Sequence, residues 1–151
     1  MQNSDIADVL DGLDLFQDFS YGELKIIGRY LAISQKEKDE VIFNEGDPGN
    51  FMLILAEGRI SVIKGGEHGN HLLSYEGRGR FIGEMALLDN ERRSATCVAD
   101  TACQLLVLDH ASLDRLGNDA PLLAYRFMRC LALLLSRRLR KTSGMLVEYL
   151  A

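Results

Sequence analysis

Cysteine is scarce in this sequence of 151 residues, and it is not patterned. Cys97, Cys103 and Cys130 are odd in number and show no CxxC spacing. That argues against a disulfide framework or a thiolate zinc site, and three reduced core cysteines in a cytoplasmic protein are expected. Long apolar runs are missing too. The longest, CLALLLS, has arginines on both sides and falls far short of the roughly 18 residues of a membrane span. The start, MQNSDIADVL, is polar and acidic, without the basic opening of a signal peptide. Positive charge is in deficit: 17 Lys and Arg stand against 22 Asp and Glu, a net charge of −5. This argues against a broad nucleic-acid surface. It does not forbid one local anion site, because a buried arginine acts inside the screening length.

What is present is enough apolar sequence, 47%, to close the core of one domain. Short β-rich runs alternate with glycine-containing turns through the middle: VIFN then EGDPGN, FMLILA then EG, RISVIK then GGEHGN, HLLSY then EGRGR. SATCVA and ACQLLVL follow. Such even spacing predicts a mainly β sandwich or barrel, over about residues 32–109, and not βαβ units. The ends read as helices. Ser20 and Glu23 fit a capping box ahead of Leu24, Ile27 and Leu31. A long helix is expected over about 119–143 or beyond, with Asn118 or Asp119 as cap and Pro121 in its first turn. Gly144 is expected to weaken its end.

One stretch mixes chemistry into apolar sequence: FIGEMALLDNERRSAT, Phe81 to Thr96. Gly83 can take a backbone conformation closed to other residues. EMALL then reads as a helical turn whose first N–H groups point outward and suit a phosphate. Arg93 offers a fork of donors to two phosphate oxygens, and the hydroxyl of Ser94 lies beside it. Glu84 would repel a phosphate but accept from a sugar hydroxyl. Together they suit a small nucleotide whose phosphate and ribose lie close, and a compact phosphodiester ring fits better than a triphosphate. No GxxxxGK[ST] or strand-linked GxGxxG is present. On the pair alone, an internal Glu84–Arg93 salt bridge is an equal alternative. Arg92 is expected to be solvated, since adjacent strand residues face opposite ways.

At these residues the sequence resembles the cyclic-nucleotide-binding domain family, whose phosphate-binding cassette is a Gly-Glu, a hydrophobic turn and then Arg-(Ser/Ala/Thr)-Ala. EGDPGN and the later EG resemble its upstream turns. The resemblance implies a jelly-roll barrel with flanking helices. Glu84 would bind the ribose 2′-hydroxyl and Arg93 the cyclic phosphate, with the amides of Gly83, Glu84, Met85 and Ala86 around it. Within the family, LLSY, FIGE, RSA, TAC, RRL and TS are similar to the sensor domains of the bacterial catabolite activators. That likeness implies that Val62, Leu73 and Ser74 line the base and sugar side. It further implies that Thr142 and Ser143 reach adenine from the long helix, one of them across a homodimer interface. Cyclic AMP is the expected ligand, with cyclic GMP second. The activators carry a DNA-binding domain after this helix; none is expected in this chain, which runs to Ala151.

Met128, Ala132, Leu135, Leu139, Thr142, Leu146 and Tyr149 form a heptad seam, although a helix packed on its own barrel gives nearly the same pattern. RRLRK, Arg137 to Lys141, is expected to be a solvated face. Two other function classes compete. One is a protein-interaction module of the same fold with a vestigial pocket. The other is a metal-binding enzyme of cupin type built on His68 and His71. Those histidines stand three apart, on opposite faces of a strand, and no catalytic constellation stands out.

Overall fold

The computed structural model describes the backbone over residues 3–150 and the side chains over residues 5–145. Helix α1 (Asn3–Asp11), a 3-10 turn (Asp14–Phe16) and α2 (Tyr21–Gly28) precede the strands. The reciprocal box opens α2: Ser20 Oγ accepts from the Glu23 amide at 3.2 Å, and Glu23 accepts from the Ser20 amide at 2.9 Å. Eight strands follow: β1 (Ala32–Lys36), β2 (Val41–Phe43), β3 (Phe51–Glu57), β4 (Ile60–Gly66), β5 (Gly69–Glu76), β6 (Phe81–Ile82), β7 (Thr96–Ala99) and β8 (Cys103–Asp109). A short helix α3 (Glu84–Asp89) sits between β6 and β7; α4 (His110–Asp119) and α5 (Pro121–Leu150) end the chain.

The strands form two four-stranded antiparallel sheets, in the orders β1-β8-β3-β6 and β2-β7-β4-β5. This is the expected jelly-roll barrel with flanking helices. The unbroken apolar run in β3 follows from its place. Met52, Ile54 and Ala56 face the terminal helices, while Leu53 and Leu55 face the opposite sheet. Period-two alternation thus serves two cores at once. In β8, Leu106 and Leu108 serve the first core and Leu105 the second. Each such buried side chain is worth about 1.5–3 kcal/mol, so the first sheet is held from both sides. Strand β5 is an edge, with Leu72, Leu73 and Tyr75 exposed.

The terminal helices close over the first sheet. Phe127 of α5 stacks on Phe16 at 6.1 Å between ring centres, and Phe16 also meets Phe19 and Phe81. The C-terminal helical region differs from expectation at its start. The expected long helix is α5, but Asn118 and Asp119 do not cap it: they close α4, a separate helix that Asp109 caps by accepting from the Ser112 amide at 2.7 Å. Asp119 instead accepts from the Tyr30 hydroxyl. Pro121 opens α5 as expected, because a first-turn residue needs no amide donor. Gly144 does not end α5, which continues to Leu150.

Candidate functional site

The chain reverses sharply after β6. Gly83 has φ +81°, and a Cβ there would overlap the guanidinium of Arg93. Gly49 makes room on the other side, since its Cβ would run into Ala86. Two glycines therefore let α3 pack against the barrel over Arg93. The result is a cavity of about 450 Å3 between α3, the barrel wall and α5.

Arg93 is 4% exposed. Its Nη1 donates to the Gly83 carbonyl at 3.3 Å and its Nη2 to the Phe51 carbonyl. Its guanidinium lies over the rings of Phe43 and Phe51, at 4.1 and 4.5 Å. Among the described residues no carboxylate pairs with it, and its Nε has no hydrogen-bond partner. Burial lowers its proton affinity; nearby Cys97, Asp47 and Glu84 pull the other way. Cys97 cannot supply the missing charge. Its thiol is pushed up to about 12, mainly by burial, and is neutral near pH 7. A desolvated cation with an unused donor is costly unless an anion completes it.

Glu84 lines the same cavity and is also 4% exposed. The internal salt bridge considered from sequence does not form. Glu84 pairs instead with Arg138 of α5, whose Nη2 donates to the Phe81 carbonyl at 2.8 Å. This corrects the reading of RRLRK as wholly solvated. Phe127, Leu131, Leu134 and Arg138 are spaced 4, 3 and 4 apart, so Arg138 continues the inward stripe of α5 past the end of the apolar core. That spacing was the available signal. Arg92 is exposed and donates to the Gly46 carbonyl at 2.8 Å.

Gly83, Glu84, Met85, Ala86, Arg93, Ser94, Val62 and Ser74 all line the cavity. Leu73 does not. Val62 pairs with Ser74 and Ile63 with Leu72, so Leu73 is the extra residue of a bulge and is 57% exposed. Thr142 and Ser143 do not line it either. Both are exposed on α5, just beyond Arg138, and Thr142 Oγ1 donates back to the Arg138 carbonyl at 2.9 Å. Of the heptad seam, Met128 packs partly on the core, Leu135 is half-buried, and Ala132, Leu139 and Thr142 are exposed. Leu146 and Tyr149 lie outside the described side chains. Sequence reasoning missed Arg138, Glu76, Phe43 and Cys97, which also line the cavity. Phe43 and Cys97 read as plain core residues in their strands, and nothing local marks them. Among the described residues no group of three or more His, Cys, Asp or Glu could hold a metal, and no helix is long and apolar enough to cross a membrane.

Residues 34–119 match the family model described as the cyclic nucleotide-binding domain. The chain is 32% identical over 135 residues to a cyclic AMP receptor protein of Thermus thermophilus, covering 87% of this chain and 60% of that protein. It is 35% identical over 115 residues to a cyclic nucleotide-gated potassium channel of Mesorhizobium japonicum, covering 76% of this chain and 31% of the channel. It thus spans less than two thirds of either relative. The crystal structure of a cyclic nucleotide-binding domain from Methylobacillus flagellatus superposes with a TM-score of 0.84 at 30% identity, covering 96% of this chain and 82% of that one.

Proposed function

The chain belongs to the cyclic nucleotide-binding domain family, and we propose that it is a regulatory sensor whose cavity takes cyclic AMP, with cyclic GMP second. The observation that carries this reading is Arg93: a buried guanidinium, without a carboxylate of its own, facing a cavity shared with a buried carboxylate. A cyclic phosphate would supply the anion that Arg93 lacks. The first-turn amides of α3, from Glu84 to Ala86, have no intrahelical acceptors and would add donors around it. Glu84 would accept from the ribose 2′-hydroxyl. Val62 and Ser74 would flank the sugar and base.

Signalling would pass through Arg138. Because this α5 residue pairs with Glu84 in the free chain, a sugar hydroxyl arriving at Glu84 would add to that pair and tighten the hold on α5. Ligand binding can switch the domain only if two states of α5 bind it differently. Hydrogen exchange of residues 120–145 should slow on binding; unchanged exchange there would leave a binder that is not a switch.

A homodimer through α5 belongs to the same proposal. Leu133, Leu139 and Met145 stay exposed on α5, and Thr142 and Ser143 would meet the adenine when a second copy brings α5 helices together. The proposal is tested by calorimetry with cyclic AMP and cyclic GMP. One-to-one heat with cyclic AMP per chain supports it. No heat and no rise in melting temperature with either nucleotide would leave the fold a protein-interaction module.

A further inference from the structure

Behind the cavity wall lies a second hollow of about 300 Å3, between the 3-10 turn, the β5–β6 loop and α5. Four arginines line it, Arg78, Arg80, Arg137 and Arg138, against one carboxylate, Asp14. In a chain of net charge −5 this is a strong local excess of the opposite sign. Two of the four are engaged through the wall. Arg138 pairs with Glu84, and Arg80 Nε with Glu76 Oε2 at 3.3 Å. Both carboxylates line the first cavity. Phe81 and Arg138 line both hollows, so the partition between them includes the Arg138–Glu84 pair, and the Arg80–Glu76 pair links the same two linings. Arg78 and Arg137 have no ion pair among the described residues.

We propose that this groove is a second anion site, for a compact phosphate-bearing polyanion, and that it antagonises the first cavity through the shared wall. Two unpaired guanidiniums offer forked donors of the geometry that phosphate accepts. The volume holds a diphosphate-sized group and is smaller than the first cavity. An anion seated there draws Arg138 and Arg80 towards itself. Glu84 then loses its counter-charge where the nucleotide's own phosphate must arrive. Each ligand weakens the other, by the same factor in both directions. The antagonism rests on the cyclic-nucleotide reading; the groove site itself does not.

Inorganic pyrophosphate titrated calorimetrically into the full chain at low ionic strength should bind one to one. The Arg78→Ala/Arg137→Ala double variant alters no residue of the first cavity. It should bind pyrophosphate on the order of tenfold more weakly, the loss expected for charge-assisted donors, with the parent's melting temperature and cyclic AMP affinity. Arg93→Ala should bind pyrophosphate as the parent does. Saturating pyrophosphate should weaken cyclic AMP several-fold, and sodium chloride of matched ionic strength should not. Absent pyrophosphate heat, full binding by the double variant, or loss of binding in Arg93→Ala overturns the groove. Equal weakening by chloride overturns the antagonism. If cyclic AMP does not bind the parent, the pyrophosphate titrations still judge the groove, and only the antagonism falls.

Discussion

Arg126 and Arg93 begin alike and end differently. Each lies over phenylalanine, Arg126 at 4.5 Å from the ring centre of Phe19 and Arg93 at 4.1 Å from that of Phe43. Each donates to a backbone carbonyl, of Asp18 and of Phe51. Arg126 is completed by its own chain: Glu23, the carboxylate of the box that opens α2, pairs with it and ties α5 to α2. Arg93 has no such partner and is more deeply buried. The same side chain is a bolt where the fold supplies the anion, and is left with an unused donor beside a cavity where it does not.

The sharpest way to break this contrast is to remove Arg93. Arg93→Ala should cost about 2–5 kcal/mol of cyclic AMP binding, the range for deleting one partner of a desolvated charge pair. The free domain should keep its melting temperature within a few degrees or so, because truncation removes an uncompensated buried charge along with its packing. A large fall in melting temperature with little change in affinity would make Arg93 a bolt after all. Glu84→Gln should cost less, about 1–2 kcal/mol, since the amide still accepts from a hydroxyl; calorimetry measures it.

Arg126→Ala should do the reverse of Arg93→Ala. Its ion pair is about a third exposed on both sides, so the loss in urea-unfolding free energy should be about 1 kcal/mol, part charge and part packing. Cyclic AMP affinity should not change. The smallest expected effect is in pH. The Glu23 carboxyl is held below its usual range, first by the Ser20 amide and then by Arg126. A carboxyl made more acidic by folding contributes its stability above the unfolded value, and loses it as pH falls through the folded one. The urea midpoint should therefore drop between about pH 5 and pH 3, and Glu23→Gln should flatten that slope. A steeper slope in the variant would contradict the assignment.

Of the bolt, only the Ser20–Glu23 box was legible in the sequence, and Arg126 was not singled out; the cavity was legible in part. Ser20 and Glu23 announce α2 because capping is a local interaction across three residues. Strand β3 announces itself as an apolar run because both its faces are buried. Strand β1 was not singled out: AISQK is polar, with every residue exposed or half-buried, so pairing with β8 decides it and not pattern. Helix α4 was hidden for a related reason. HASLDRLGND is mostly polar, with only Ser112 and Leu116 buried, so pattern does not reveal it, whereas Pro121 rightly marks the start of α5. In the cavity, Gly83, Glu84 and Arg93 stood out because they interrupt apolar sequence within one cassette. Arg138 arrives from 54 positions beyond Glu84, and only its place on the inward stripe of α5 hints at it. Leu73, placed by resemblance alone, does not line the cavity because a bulge in β5 shifts the pleat by one residue there.

The central claim is that the ligand's negative charge completes Arg93. The direct measurement compares cyclic AMP with its uncharged methyl phosphotriester, by calorimetry, in the parent and in Arg93→Ala. The parent should favour the charged nucleotide by at least about 2 kcal/mol, roughly thirtyfold, and Arg93→Ala should lose most of that preference. An equal preference in the two proteins would place the phosphate elsewhere and contradict the account.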